Sequence, residues 1–182
     1  MRYLMIIVLL LAFTSITSAQ LTRTEIVNPS TPSEDAKQNS DTVPNVYTIN
    51  GHFERILVVR FKNQADLLTG LESIVKEQKI LNAVILSGIG SVTDYQIHTV
   101  SNRTFPSKNM YLKDTTSSAD IVSMNGYIIN GRIHAHISLA DTEKLFGGHL
   151  EAGTKVFTFA VVTIGVFKDG INLRRVDDKT YR

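Results

Sequence analysis

An Asn130-Gly131 pair stands between two runs of alternating character, and it constrains this chain more than any other dipeptide. Both central residues of a type I′ turn need positive φ, which Asn and Gly reach most easily. Asn-Gly between strands therefore marks a two-residue β-hairpin. So short a turn also sets the register: Ile129 faces Arg132, Tyr127 faces His134 and Asn125 faces His136. In the returning strand, Arg132 to Ala140, the residues Ile133, Ala135, Ile137 and Leu139 are apolar and belong to a core. His134, His136 and Ser138 fall on the opposite face. Cross-strand partners share a face, so Ser123, Asn125 and Tyr127 are expected beside the histidines.

Two imidazoles at i and i+2 of a strand project from one face roughly 6.5–7 Å apart along the chain. A third, His149, follows Gly147-Gly148, which reads as a glycine-softened loop able to close on the pair. Three imidazole nitrogens with one position left open make a site for zinc or a similar divalent cation. The plainer alternative is a polar cluster whose imidazoles bond to backbone and water. A cation held by three neutral ligands keeps its charge and acts as a Lewis acid, which suits hydrolysis or hydration. Asp141 and Glu151 are the nearest acids in sequence and the candidate catalytic bases, though both also read as solvated loop residues. Asn125 and Tyr127 are candidates to orient an imidazole through its other nitrogen. His52 and His98 lack such a context and read as surface or packing residues.

With no cysteine, the chain has neither a disulfide nor a thiol nucleophile, and no Ser-His-Asp order or nucleophile elbow is present. Residues 1–19 read as a secretory signal peptide: Arg2, an apolar run from Leu4 to Phe13, then Thr17-Ser-Ala19 before Gln20. The run is too short to span a bilayer, so an exported protein, periplasmic or secreted, with no membrane span after leader removal is expected. Residues 20–46 hold Pro29, Pro32 and Pro44 among Ser, Thr, Asn and Asp and read as a flexible linker. The folded domain is expected over 47–182. The formal charge of +2 includes Arg2, so the exported chain is near neutral and offers no electrostatic case for nucleic acid or anionic lipid. Asn102-Arg-Thr104 is a glycosylation sequon, meaningful only in a eukaryotic secretory pathway.

Elsewhere, Glu54 to Phe61 reads as a strand. Asn63 offers an N-cap for an amphipathic helix over 64–78, with Leu67, Leu68, Leu71, Ile74 and Val75 at helical spacing. Asn82 to Leu86 and Val92 to Val100 read as strands joined by a tight turn or bulge at Ser87-Gly-Ile-Gly-Ser91, since no helix follows to make a phosphate loop. Residues 101–119 read as an extended loop. Asp120 to Ile129 is a strand, Lys155 to Phe167 a strand covered on both faces, and Asp169-Gly170 a second hairpin turn before a last strand, Ile171 to Val176. Many strands with one helix give an α+β class, a mostly antiparallel sheet with the helix packed on one face.

Four blocks then carry a resemblance: Asn82-Ala-Val-Ile-Leu-Ser-Gly-Ile-Gly-Ser91, Asp120-Ile-Val-Ser-Met-Asn-Gly126, His134-Ala-His-Ile-Ser-Leu139 and Gly147-Gly-His-Leu-Glu-Ala-Gly153. Over roughly residues 54–168 the chain resembles the PPC, or plant and prokaryote conserved, domain. The resemblance implies an antiparallel α+β domain assembled as a homotrimer. It also implies a metal site, typically zinc, near subunit boundaries, with His134, His136 and His149 as ligands. Plant relatives contact DNA through a fused AT-hook, and no Arg-Gly-Arg-Pro hook stands here. Many relatives carry a glutamate early in the last long strand, where this chain has Phe159-Ala-Val-Val162. The residues thus point to an exported protein with a three-histidine divalent-metal site, acting on or binding a small molecule, and the resemblance implies that it is a trimer. A non-catalytic trimeric binding or assembly module is the alternative, and DNA binding ranks last.

Overall fold

The computed structural model describes residues 21–27 and 36–182, and in it Asn130 and Gly131 turn with φ of 52° and 77°. Strands β5 (Ala119–Ile129) and β6 (Arg132–Ala140) flank this turn in the expected register, with Ile129 opposite Arg132, Tyr127 opposite His134 and Asn125 opposite His136. The one bulge in this pair lies between Ile121 and Ser123, beyond the histidines, so the pairing beside them is undisturbed. Ala135, Ile137 and Leu139 are buried, which leaves His134 and His136 on the outer face.

The remaining strands are β1 (Thr22–Val27), β2 (Phe53–Lys62), β3 (Ala83–Val100), β4 (Lys108–Asp114), β7 (Leu145–Leu150) and β8 (Lys155–Phe167). Every pairing among the described strands is antiparallel. The first half of β3 lies between β8 and β5, and its last residues lie between β4 and β7. Because β7 pairs with both β6 and β3, the path β3–β5–β6–β7 closes on itself. The Gly88-x-Gly90 segment does not end a strand. It lies inside β3 and takes up register shifts against β8, which is the bulge reading of that motif.

Helix α1 (Leu67–Glu77) buries Leu67, Leu71 and Val75 against the inner face of the sheet, together with Ile85, Ile137, Leu139, Val156 and Ile164. Its cap is Asp66, not Asn63: Asp66 Oδ1 accepts from Thr69 N–H at 3.0 Å. Gln64 takes φ of 66°, which delays the helix, and the Asn63 amide is used on the Phe157 carbonyl instead. Asp66 also accepts from Gly153 N–H through Oδ2 at 2.6 Å, tying the helix start to the entry of β8.

Four further expectations change. The polar segment read as a linker contributes β1, which pairs with β4 while the side chains of Thr22 to Ile26 stay exposed; backbone bonds hold it, and composition cannot reveal that. The loop expected over 101–119 contains β4. Gly147-Gly148 is the middle of strand β7, not a loop. Ile171 to Val176 is not a strand: after Asp169-Gly170 the chain runs in turns, with Leu173 buried. The expected leader, 1–19, lies outside the described residues.

Candidate metal centre

The histidines form one row across the outer face of the sheet. By register, Asn125 on β5 sits beside His136 on β6, His136 beside His149 on β7, His149 beside His98 on β3, and His98 beside Tyr111 on β4. His134 adds a fourth imidazole two residues along β6. The close approach of β7 to its neighbours requires glycine. A Cβ on Gly147 would lie 2.3 Å from the Ile137 carbonyl oxygen, and one on Gly148 would lie 2.4 Å from that of His98. The Gly-Gly pair thus allows a strand to be squeezed between two others, with His149 carried into the row.

The donor geometry fits a tetrahedral cation. The ligand atoms of His134, His136 and His149 all lie within 4.8 Å of one another. His134 Nε2 and His136 Nε2 are 3.3 Å apart. Two nitrogens bound to one zinc at about 2.0–2.1 Å in tetrahedral geometry stand about 3.3 Å from each other. Burial, followed by the charges of His98 and His134, pushes the His149 imidazole down to about 4. Burial and its histidine neighbours lower His136 as well. Both are therefore neutral at pH 7, the state a ligand needs.

Two side chains outside the expected set complete the site. Asp177 Oδ2 lies 3.3 Å from His134 Nδ1 and accepts from Arg132 at 2.5 Å, its side chain only 8% exposed. His98, expected to be a packing residue, stacks on His149 with centroids 4.4 Å apart and places Nδ1 2.6 Å from Glu151 Oε1. Glu151 is aligned by its own N–H, donated to the Gln96 carbonyl at 3.0 Å. His98, His149 and Glu151 also fall within 4.8 Å of one another. The 2.6 Å contact is a hydrogen bond, shorter than the spacing of two ligands on one cation, so Glu151 holds His98 rather than preparing a second tetrahedral site.

Of the two candidate bases, the structure brings only Glu151 to the histidines. Asp141 caps the turn between β6 and β7, accepting from Glu143 N–H and Lys144 N–H at 2.8 Å each. It faces a separate groove with Ser91, Asp120 and Thr158. Five residues along β6 from His136 put it roughly 16 Å away. Asn125 and Tyr127 share the histidine face and line a hollow of about 250 Å³ with His134, His136, Val176 and Asp177, but neither bonds to an imidazole. The partner expected from them is Asp177. Nothing local in sequence marks it, since it lies 43 residues beyond His134 in a polar tail. His98 is legible only once β7 is seen to pair with β3.

The imidazole edges open into an outer cavity of about 810 Å³, bordered also by Tyr111, Asn109, Arg132 and Arg174. A ligand of modest size fits there with an atom at the open coordination position.

Comparison with known proteins gives the fold a context. A metal-containing protein from Archaeoglobus fulgidus is similar with a TM-score of 0.58 and 20% identity, covering 74% of this chain and 95% of its own. A plant- and prokaryote-conserved (PPC) protein from Pyrococcus horikoshii gives 0.55 and 25%, covering 68% and 85%. A protein from Bacteroides thetaiotaomicron described as a candidate DNA-binding protein gives 0.54 and 18%, covering 69% and 87%. No curated protein matches the chain. The family model of the Plants and Prokaryotes Conserved (PCC) domain matches residues 48–168, from just before β2 to the end of β8 and including all three expected ligands. The chain belongs to the Plants and Prokaryotes Conserved domain family.

Proposed function

We propose that this protein holds a divalent cation, zinc first among candidates, on His134, His136 and His149, and presents it to a small molecule in the adjoining cavity. The observation that carries this reading is the 3.3 Å approach of His134 Nε2 to His136 Nε2, with His149 completing the set. The metal-containing character of the Archaeoglobus fulgidus protein supports it. When bound, the cation supplies a Lewis acid for an oxygen of the ligand. The chain supplies the three imidazoles, with Asp177 against His134 and Glu151 against the neighbouring His98. Zinc titration of metal-stripped protein tests the reading: one cation per chain is expected, with binding abolished in the His134→Ala/His149→Ala double variant. Unchanged binding in that variant overturns it.

The same protein is proposed to be exported and to assemble with copies of itself. Val58, Ile56, Ile89, Val122, Phe157 and Phe159 are between 41% and 69% exposed and lie on the outer side of β2, β8, β3 and β5. So much apolar side chain on neighbouring strands suits an interface between subunits. Val122 is three residues along β5 from Asn125, which puts this surface next to the histidine row. Light scattering is expected to give a homotrimer, reduced to monomer by Val58→Asp/Ile89→Asp; a monomeric parent protein refutes the assembly. If the trimer forms without metal binding, the non-catalytic module remains. DNA binding, the description given to the Bacteroides thetaiotaomicron protein, has no support in the near-neutral charge here, and a salt-dependent duplex titration is expected to show no affinity.

A further inference from the structure

The segment that follows the family domain reaches back to the histidines. The matched region ends at residue 168, and β8 ends at Phe167. Beyond it the chain is fixed at several points. Asn82 Nδ2 donates to the Ile171 carbonyl at 3.3 Å, Leu173 is 4% exposed, and Tyr181 meets Tyr47 edge-on at 5.9 Å. These anchors carry Asp177 over β6, where its carboxylate meets both Arg132 and His134 Nδ1. A carboxylate can accept at that distance only from a protonated nitrogen. With Nδ1–H donated to Asp177, the lone pair of His134 stands on Nε2, the atom that faces His136.

We infer that Asp177 is a positioning residue for the metal centre, supplied by a segment outside the family domain, and that it fixes the tautomer and ring orientation of His134. The inference rests on the three-histidine reading and deepens it. A carboxylate behind a ligating imidazole raises the basicity of the coordinating nitrogen and removes the entropy of ring flipping, and loss of such a partner weakens metal affinity about 10–100-fold. Arg132 in turn donates to the same carboxylate oxygen and keeps it aimed, so the bond does not depend on the tail alone.

The test uses purified full-length protein and zinc. Competition with a chelator gives the zinc Kd of the parent, Asp177→Ala, Asp177→Asn and Asp178→Ala. Nitrogen-15 spectra of the metal-free forms give the tautomer of His134. Asp177→Ala is expected to raise Kd about 10–100-fold, with Asp177→Asn, which keeps an acceptor oxygen but not the charge, in between. Asp178 lies in the same tail and bonds to Thr180 but not to a histidine, so Asp178→Ala is expected to leave Kd unchanged. In the parent, His134 is expected to carry its proton on Nδ1, a preference lost in Asp177→Ala. A parent-like Kd in Asp177→Ala overturns the inference, as does an equal loss in Asp178→Ala or an Nε2-protonated His134 in the parent. Failure of the parent itself to bind zinc overturns the three-histidine reading instead.

Discussion

Replacing Gly148 with alanine tests whether the Gly-Gly pair exists for strand approach or for loop freedom. The added Cβ would sit 2.4 Å from the His98 carbonyl oxygen and 3.0 Å from Thr99 Cγ2. An ordinary carbon–oxygen contact is about 3.3 Å, so β7 and β3 must separate by roughly 0.9 Å. That oxygen belongs to backbone and cannot swing aside. Overpacking of this kind costs about 1–3 kcal/mol. The functional effect is larger in proportion, because His149 is the next residue. Productive metal geometry tolerates about 0.5 Å of displacement. Urea unfolding of the metal-free protein and chelator competition for zinc measure the two effects separately. Gly148→Ala is expected to lower the unfolding free energy by about 2 kcal/mol and weaken zinc at least tenfold. Parent-like stability and affinity would show that β7 is not packed as tightly as described, and the account of the Gly-Gly motif would fall.

Two predictions concern titrating groups. Burial alone would raise the Asp114 carboxyl, but hydrogen bonds from Thr116, Ser117 and Tyr95 outweigh it and hold Asp114 down at about 2. A depressed carboxyl stabilises the fold fully above its ordinary value of 3.8 and loses that contribution as pH falls toward 2. Asp114→Asn is expected to cost about 2 kcal/mol at neutral pH and to remove this acid transition, as measured by urea unfolding across pH 2–6; a parent-like acid profile refutes it. For His149 the folded value of about 4 lies below the ordinary 6.5, so metal-free protein is favoured in full above 6.5 and loses stability as pH falls from 6.5 toward 4. With partial solvent screening the loss is on the order of 2 kcal/mol. Proton NMR of the His149 ring is expected to show no protonation until well below pH 6, and a midpoint near 6.5 contradicts the burial of that ring.

How legible each part was follows from the range of the forces that fix it. The β5–β6 register could be read from Asn130-Gly131 because a two-residue turn determines it locally, and it brought His134, His136, Asn125 and Tyr127 to one face as expected. The helix was visible through Leu67, Leu71 and Val75. Its start was not, because Asn63 and Asp66 both have capping chemistry and the choice is made by the backbone at Gln64 and by Gly153. Strand β7 was missed because Gly147 and Gly148 carry loop propensity, while their use here is set by the backbones of β6 and β3. Strands β1, at the sheet edge, and β4, between β1 and β3, are not legible because both are largely polar and lack the alternation that marks a half-buried strand. His98 and Asp177 join the site across 51 and 43 residues of sequence, from His149 and His134 respectively. No local pattern encodes contacts of that range.

The central claim is that His134, His136 and His149 bind one cation together. X-ray absorption at the zinc edge, on protein loaded with one equivalent, measures this most directly. Three imidazole nitrogens at about 2.0–2.1 Å and one further oxygen or nitrogen ligand are expected, with the imidazole count falling in each single histidine-to-alanine variant. A first shell of oxygen alone, or one unchanged when these histidines are removed, would contradict it.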